Sequence, residues 1–460
     1  MKPTRKSTKE VLRDLSQLSN AAIHSTTALV GSVEKAATKD DQKREEKGSQ
    51  QLRRKRGLQP VPSSESTDAI PLTTWDVLHW LAHALSLSRQ GAGRGLAEHW
   101  GSLKYSQAMD PASDAYIEVS EEGKGISRRY KQLQSEELGQ GFGLALAKHV
   151  LTQRHPDRCV SIVSADVVLR AGWPKRSSGY PYQPHFFAEV WKPGEPSIVV
   201  PVATKGNHSH RGRYSSIQLA SCSAHVEAMH VGPWDQTPCL IFSTELPAEG
   251  PVTIYALHAQ GKDGWLDSFP KGSLHSLDRV ANNENFLPGI QPTTKGGETP
   301  AFEPGFHVPP RNYAWFQHVL ARTVTAGVTA FAGDGDTTAH YLTSRQGSQR
   351  YSTGFAHAAI GSVQDAEHKL LDISFTGTDH VFRLNNKRVE AFSGVASDLF
   401  SLLSPRVADG KLAPGRVEQY REEVYARRKS WPEQAWDEKW KGPVSIHEDG
   451  TVLAMRLLPG

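Results

Sequence analysis

Cysteine is scarce: Cys159, Cys222 and Cys239 are the only three. Their odd number and wide spacing exclude a disulfide framework and any CxxC metal pair. That usage suits a reducing compartment, so a cytoplasmic location is expected. No run of about 18 apolar residues occurs, which argues against a membrane-spanning helix, and the mean hydropathy of −0.49 agrees. No apolar stretch follows Met1-Lys-Pro-Thr-Arg-Lys, so a secretory leader is not expected. Glycine (39) and proline (28) are not in excess, which excludes collagen-like and wholly low-complexity chains. Self-similarity at periods of 20–50 residues is missing too, and with it a solenoid. What remains is a chain of 460 residues, long enough to bury at least one sizeable core.

Charge is present but unevenly placed. Residues 1–60 hold fourteen Lys/Arg against seven Asp/Glu, a net of +7, so the rest of the +4 chain carries 4 − 7 = −3. A basic arm on a slightly acidic body is common in proteins that meet nucleic acid, because Lys and Arg displace counterions from phosphates. The sharpest element is Arg53-Arg54-Lys55-Arg56. The plain alternative is a solvated leader.

Within the arm, Ser7-x-x-Glu10 has the form of a capping box, with Val11, Leu15, Leu18 and Ala22 on one helical face. Residues 36–70 are polar and read as a linker, so residues 1–70 are expected to form a largely disordered arm with one short helix. Thr73-x-x-Asp76 opens a helix that buries Val77, Leu78 and Leu81 and is anchored by Trp75 and Trp80, in a helical region over 71–134. A helix over 135–153 precedes three β-rich runs at Cys159–Leu169, His185–Trp191 and Ser197–Thr204, the last two forming a hairpin. A helix over 214–230 and strands at 239–243 and 252–257 complete this unit. Residues 261–310 read as a connection. Residues 311–460 read as a C-terminal α+β domain with a turn at Asn385-Asn386. The fold class is therefore α+β, a central mixed sheet flanked by helices.

The order α, three strands, α, strand over 135–260 carries Pro184-His185 at the start of one hairpin strand and Ala203-Thr204-Lys205-Gly206 at the end of the next. In this it resembles the PD-(D/E)XK, restriction-endonuclease-like superfamily, where Pro-Asp opens one strand and Glu-x-Lys-Gly ends the next. The resemblance implies a restriction-endonuclease-like core with Lys205 as a catalytic residue. This chain departs from the pattern twice, with His185 in place of Asp and Ala203 in place of Glu. Phosphodiester cleavage on that fold needs carboxylates converging on Mg²⁺, which activates water and neutralises the leaving oxygen. Glu189, four residues along the strand from His185, would lie roughly 13 Å away, too far to substitute. A migrated site would use Glu137, Asp166, His185 and Lys205, with Asp166 and His185 holding Mg²⁺ or Mn²⁺.

His208, His210, Arg211 and Arg213 follow Lys205 and would sit at the mouth of such a site, in reach of phosphate, or form an ordinary polar loop. Cys222, His225 and His230 share a helix, but their spacing does not align them for a metal. Gly139-Gln-Gly141-Phe-Gly143 reads as close helix packing and Gly333-Asp-Gly-Asp336 as a turn. The tryptophans of the C-terminal run read as buried. Three functions are open to such a chain: a DNA-associated protein with a degenerate, inactive nuclease-like domain acting by binding or as a complex subunit; a metal-dependent DNA endonuclease of restriction or defence type with moved carboxylates; or a protein–protein interaction subunit.

Overall fold

The computed structural model describes all residues except 1–5, 88–97, 112–115, 174–180, 210, 211, 213, 234–236, 263, 268–276, 280, 287–288, 291–302, 355–362, 405, 409–410, 414–415 and 460. The N-terminal segment folds. Helix α1 (Thr8–Ser16) starts on the expected capping box: Ser7 Oγ accepts from the Glu10 amide, and the Glu10 carboxylate accepts in return from the Ser7 amide. The helix stops at Ser16, and Leu18 and Ala22 belong to strand β1 (Leu18–His24). Helix α2 (Thr27–Glu46) follows, then strand β2 (Ala69–Thr73) and helix α3 (Thr74–Leu85) with the expected Thr73/Asp76 capping box.

Next come helix α4 (Arg128–Arg154), strand β3 (Cys159–Ser164), helix α5 (Ala165–Gly172), strands β4 (Phe186–Trp191) and β5 (Ser197–Asn207), helix α6 (Ser215–Glu227), and strands β6 (Cys239–Glu245) and β7 (Thr253–Ala259). The main sheet runs β2-β1-β7-β6-β5-β4-β3, with two short strands attached at Gln59–Pro60 and Trp265–Leu266. It is mixed: β5 and β6 are parallel, as are β7 and β1, and the other neighbours are antiparallel. Side chains alternate between its faces. Leu240 and Phe242 join the core under α4, whereas Cys239 and Ile241 join a second cluster with α6 and α2. This is an α+β fold with helices on both faces of the sheet.

The remaining chain forms helix α7 (Tyr313–Phe331), strands β8 (Val363–Leu370), β9 (Ile373–Leu384) and β10 (Lys387–Ala396), helix α8 (Val417–Arg427), and strands β11 (Trp436–Asp437), β12 (Gly442–Ile446) and β13 (Thr451–Leu457). They build a sheet of order β8-β9-β10-β13-β12-β11. Asn385 and Asn386 make the expected turn, both with positive φ, which Asn tolerates better than most residues. One face of this sheet shares the core of the central unit. Val389, Ala391, Leu453 and Met455 lie in the same cluster as Leu12, Trp75 and Phe142, and Trp75 Nε1 donates to Leu453 O at 2.8 Å.

Two expectations are corrected. Residues 6–70 are not a largely disordered arm, because β1 fills an internal place between β2 and β7 and α1 buries Val11, Leu12 and Leu15. Nor do residues 159–169 form one strand. The chain turns at Ser164 into α5, which buries Ala165, Val168, Leu169 and Gly172 at helical spacing, so Asp166 sits in a helix's first turn, where a carboxylate is favoured.

Histidines line the seam between α3 and the C-terminal sheet. The His79 ring stacks on that of His447 at 3.6 Å, and its nitrogens meet Ser445 Oγ at 2.9 Å and Thr451 Oγ1 at 3.2 Å. His83 pairs with Asp449 at 3.2 Å. Burial pushes the His99 and His447 pKa values down to about 3 and lowers that of His79 well below its ordinary range.

Removing residues 1–60 is expected to unfold the body, not merely shorten it. Val11, Leu12, Leu15, Leu29 and Val33 are all buried, at about 1.5–3 kcal/mol each, comparable with the ~5–15 kcal/mol stability of a whole domain. Loss of the cooperative thermal transition in the truncated chain checks this; an unchanged transition refutes it. Acid should act through the seam. The unfolded chain takes up protons below about pH 6.5 that folded His79, His99 and His447 refuse. Their contribution is therefore complete above that pH and falls as pH drops toward 3, by at most about 1.4 kcal/mol per pH unit for each. Melting curves from pH 7.5 to 4.5 should show a steep fall in Tm that His447→Phe makes shallower.

Candidate nucleic-acid interface

His185 and Lys205 come together, as the hairpin requires. The His185 amide donates to Val202 O at 3.0 Å, and its ring Nδ1 accepts from the Thr204 amide at 3.1 Å. This seats the imidazole beside Ala203, which is fully buried under α6. The His225 ring of α6 closes over it edge-on at 4.7 Å. Burial, the His225 ring and the Lys205 charge hold the His185 pKa at about 3, so it is neutral. Lys205 Nζ donates to Ser221 Oγ at 2.8 Å. Cys222, on the same helix, is buried and its thiol is pushed up to about 12 by that burial.

The carboxylates do not converge here. Asp166 is paired with Arg170 and accepts from the Gln183 side-chain amide at 3.3 Å. Glu137 is paired with Lys104 at 2.6 Å. Glu189 is fully buried and bound by Arg421 of α8 at 2.8 Å, and that guanidinium stacks over Trp191 at 4.1 Å. A neutral imidazole, a methyl group and an ammonium are the wrong donors for Mg²⁺, a hard ion that requires anionic oxygens. The donor set therefore does not fit Mg²⁺.

The basic cluster is engaged inside the protein. Arg54 pairs with Asp40 at 2.5 Å and Asp41 at 3.1 Å, and Arg53 with Glu303 at 2.6 Å. Lys55 is buried against Glu227 at 3.9 Å. Arg56 alone of the four is exposed. His208 is partly buried and donates through Nδ1 to Leu246 O at 3.0 Å. His210, Arg211 and Arg213 lie outside the described residues.

The ends of β5 and β6 are held rigidly. Gln218 of α6 donates to Gly206 O at 2.8 Å and accepts from Asn207 Nδ2 at 2.9 Å and Ser243 Oγ at 2.6 Å. Buried Glu245 gathers the following loop, accepting from Ser209 Oγ at 2.8 Å, the Gly212 amide at 3.1 Å and Tyr255 OH at 2.9 Å. Over this end runs the first part of α4, close enough that a Cβ on Gly206 would fall 1.8 Å from Ser135 O.

The exposed residues of that part of α4 include Arg128, Arg129, Tyr130 and Leu133. The Lys131 charge is near enough to act on the His208 ring. Tyr214 and Ile217 stand exposed at the start of α6. Arg128 and Arg129 make no ion pair among the described residues, in contrast to Arg53 and Arg54. Sequence reasoning misses Arg128-Arg129-Tyr130-Lys131 because the apolar stripe begins only near Ser135; the available signal is the run of cations on polar turns ahead of that stripe. Parallel strands present their carboxyl ends as binding edges, and a rigid edge carrying exposed cations beside exposed tyrosines can take up a phosphate backbone and stack bases. Compared with protein-family models, curated proteins and solved structures, the chain matches none.

Proposed function

We propose that the chain is a DNA-associated protein whose nuclease-like central unit lacks a working metal site and acts by binding, alone or as a subunit of a complex. One observation carries the reading. Exposed cations that form no ion pair among the described residues, Arg128 and Arg129, lie beside Tyr130 and Lys131 on the helix that crosses the end of β5. The β4–β5 hairpin followed by α6 and by β6, parallel to β5, and the adjacent placement of His185 and Lys205 support the same reading. His185, neutral and enclosed, and Ala203, apolar, support binding without cleavage.

Phosphate neutralisation should dominate affinity, so log K falls linearly with log salt. Arg128→Ala/Arg129→Ala/Lys131→Ala is expected to weaken duplex binding by about 10-fold or more near 0.1 M salt and to reduce the slope by ~0.9 for each phosphate no longer neutralised. The purified chain is expected to leave DNA uncut with Mg²⁺. Fluorescence anisotropy over a salt series, alongside a Mg²⁺ and Mn²⁺ cleavage assay, tests both parts. Unchanged affinity and slope in the triple variant would remove this surface from the reading, and cleavage abolished by Asp166→Ala would replace binding with catalysis.

A further inference from the structure

The C-terminal sheet holds a second group of chemistry-bearing side chains unrelated to the DNA-binding proposal. His368 on β8, Asp379 on β9 and Glu390 on β10 each offer a ligand atom within 4.8 Å of the others, alone among the described residues in forming such a group. The pairing register makes this unexpected. His368 lies opposite Phe375, and Asp379 opposite Gln364, so four residues separate them along the ladder, roughly 13 Å on a flat sheet. Their side chains nevertheless meet, His368 Nε2 at 2.9 Å from both Asp379 oxygens.

A bend closes the gap. Gly377 and Gly394 are paired between the two, and a Cβ on Gly377 would lie 2.0 Å from Ser393 O and 2.5 Å from Gly394 Cα. Glycine at such a position marks a sharp corner that a side chain would block. Walls stand around the group: the His368 ring meets Phe392 and Trp440 edge-on, each at 4.7 Å. Arg456, lying over Trp440 at 4.0 Å, holds Glu390 through Oε2, from Nε at 2.6 Å and Nη2 at 2.5 Å. That geometry leaves Glu390 Oε1 available as a ligand. Beside them, Trp440 is buried and its Nε1 has no acceptor among the described residues. A buried donor with no acceptor next to a ligand group is what a metal-bound water would satisfy.

We propose that His368, Asp379 and Glu390 form a binding site for a divalent transition-metal ion such as Zn²⁺ or Mn²⁺, with open coordination positions for water. One imidazole with two carboxylates suits such ions better than Mg²⁺ or Cu(I). Three protein ligands leave room for solvent, as in sites that activate water. Arg456 positions Glu390 and is not a ligand. On binding, His368 Nε2 would present its lone pair to the metal in place of its contact with Asp379.

The test uses the full chain stripped with chelator. Calorimetric titration with Zn²⁺ and Mn²⁺ and visible absorption with Co²⁺ should show one saturable equivalent. His368→Gln, which keeps a donor to Asp379, and Glu390→Gln should each weaken binding 10-fold or more while melting like the parent without metal. Gly377→Ala should abolish binding. If it also unfolds the chain, the two conservative variants decide. A parent chain that takes up no equivalent of either metal, or variants that bind like the parent, would overturn the proposal.

Discussion

A helix can cross β5 this closely only because α4 presents glycines to it. Gly139 and Gly143 of α4 face Gly206 and Thr204 of β5, and Gly141 faces Val77 of α3; a Cβ at any of the three would fall within 3 Å of those atoms. The spacing Gly-x-Gly-x-Gly thus clamps α4 to the sheet on one side and to α3 on the other. Everything that gives the central unit its candidate role depends on the crossing. It sets the exposed cations of α4 over the end of β5, and it fixes that end for the Gln218 and Glu245 networks. Overpacked contacts of this kind typically cost about 1–3 kcal/mol, so these glycines are constrained by space more than by backbone angle.

Local signals are readable in the sequence and non-local ones are not. Both capping boxes, the β4–β5 hairpin and the Asn385-Asn386 turn are legible because each rests on residues a few positions apart. Strand β1 is hidden: Leu-Ser-Asn-Ala-Ala-Ile-His is a weak strand, and what makes it one is a parallel partner, β7, more than 200 residues later. The same limit makes Arg53-Arg54-Lys55 look like a phosphate-binding cluster. Its acidic partners Asp40, Asp41, Glu227 and Glu303 are partly distant, and a charge reads as free until its partner is placed. Asp166 is misplaced for a related reason, since Val167-Val168-Leu169 favours a strand until the burial of Ala165, Val168 and Gly172 selects a helix.

The restriction-endonuclease-like resemblance rests on two short motifs, and the physical chemistry of their positions explains why their residues fare differently. Lys205 keeps a polar surrounding, hydrogen-bonded to Ser221 and adjacent to the partly buried loop at the end of β5. Ala203 is drawn into the core beneath α6, and the His185 ring is enclosed beside it by His225. A carboxylate at either place would be costly to bury without a metal or a cation, and the uncharged groups at both let α6 settle onto the sheet. The Glu189–Arg421 pair shows the opposite solution: a carboxylate kept in the interior with its own guanidinium, capped by an indole ring.

The chain ends are interleaved, and this bears on how the protein is made. Ser25 bonds to Ala256, 231 positions away, and Trp75 to Leu453, 378 positions away. During synthesis β1 can pair with β2 about 50 residues on, but its parallel partner β7 follows only after more than 200 residues. Contacts of such separation close slowly. Leu12, Leu15 and Trp75 share one cluster with Val389, Ala391, Leu453 and Met455, so this part of the core closes only when both sheets are present.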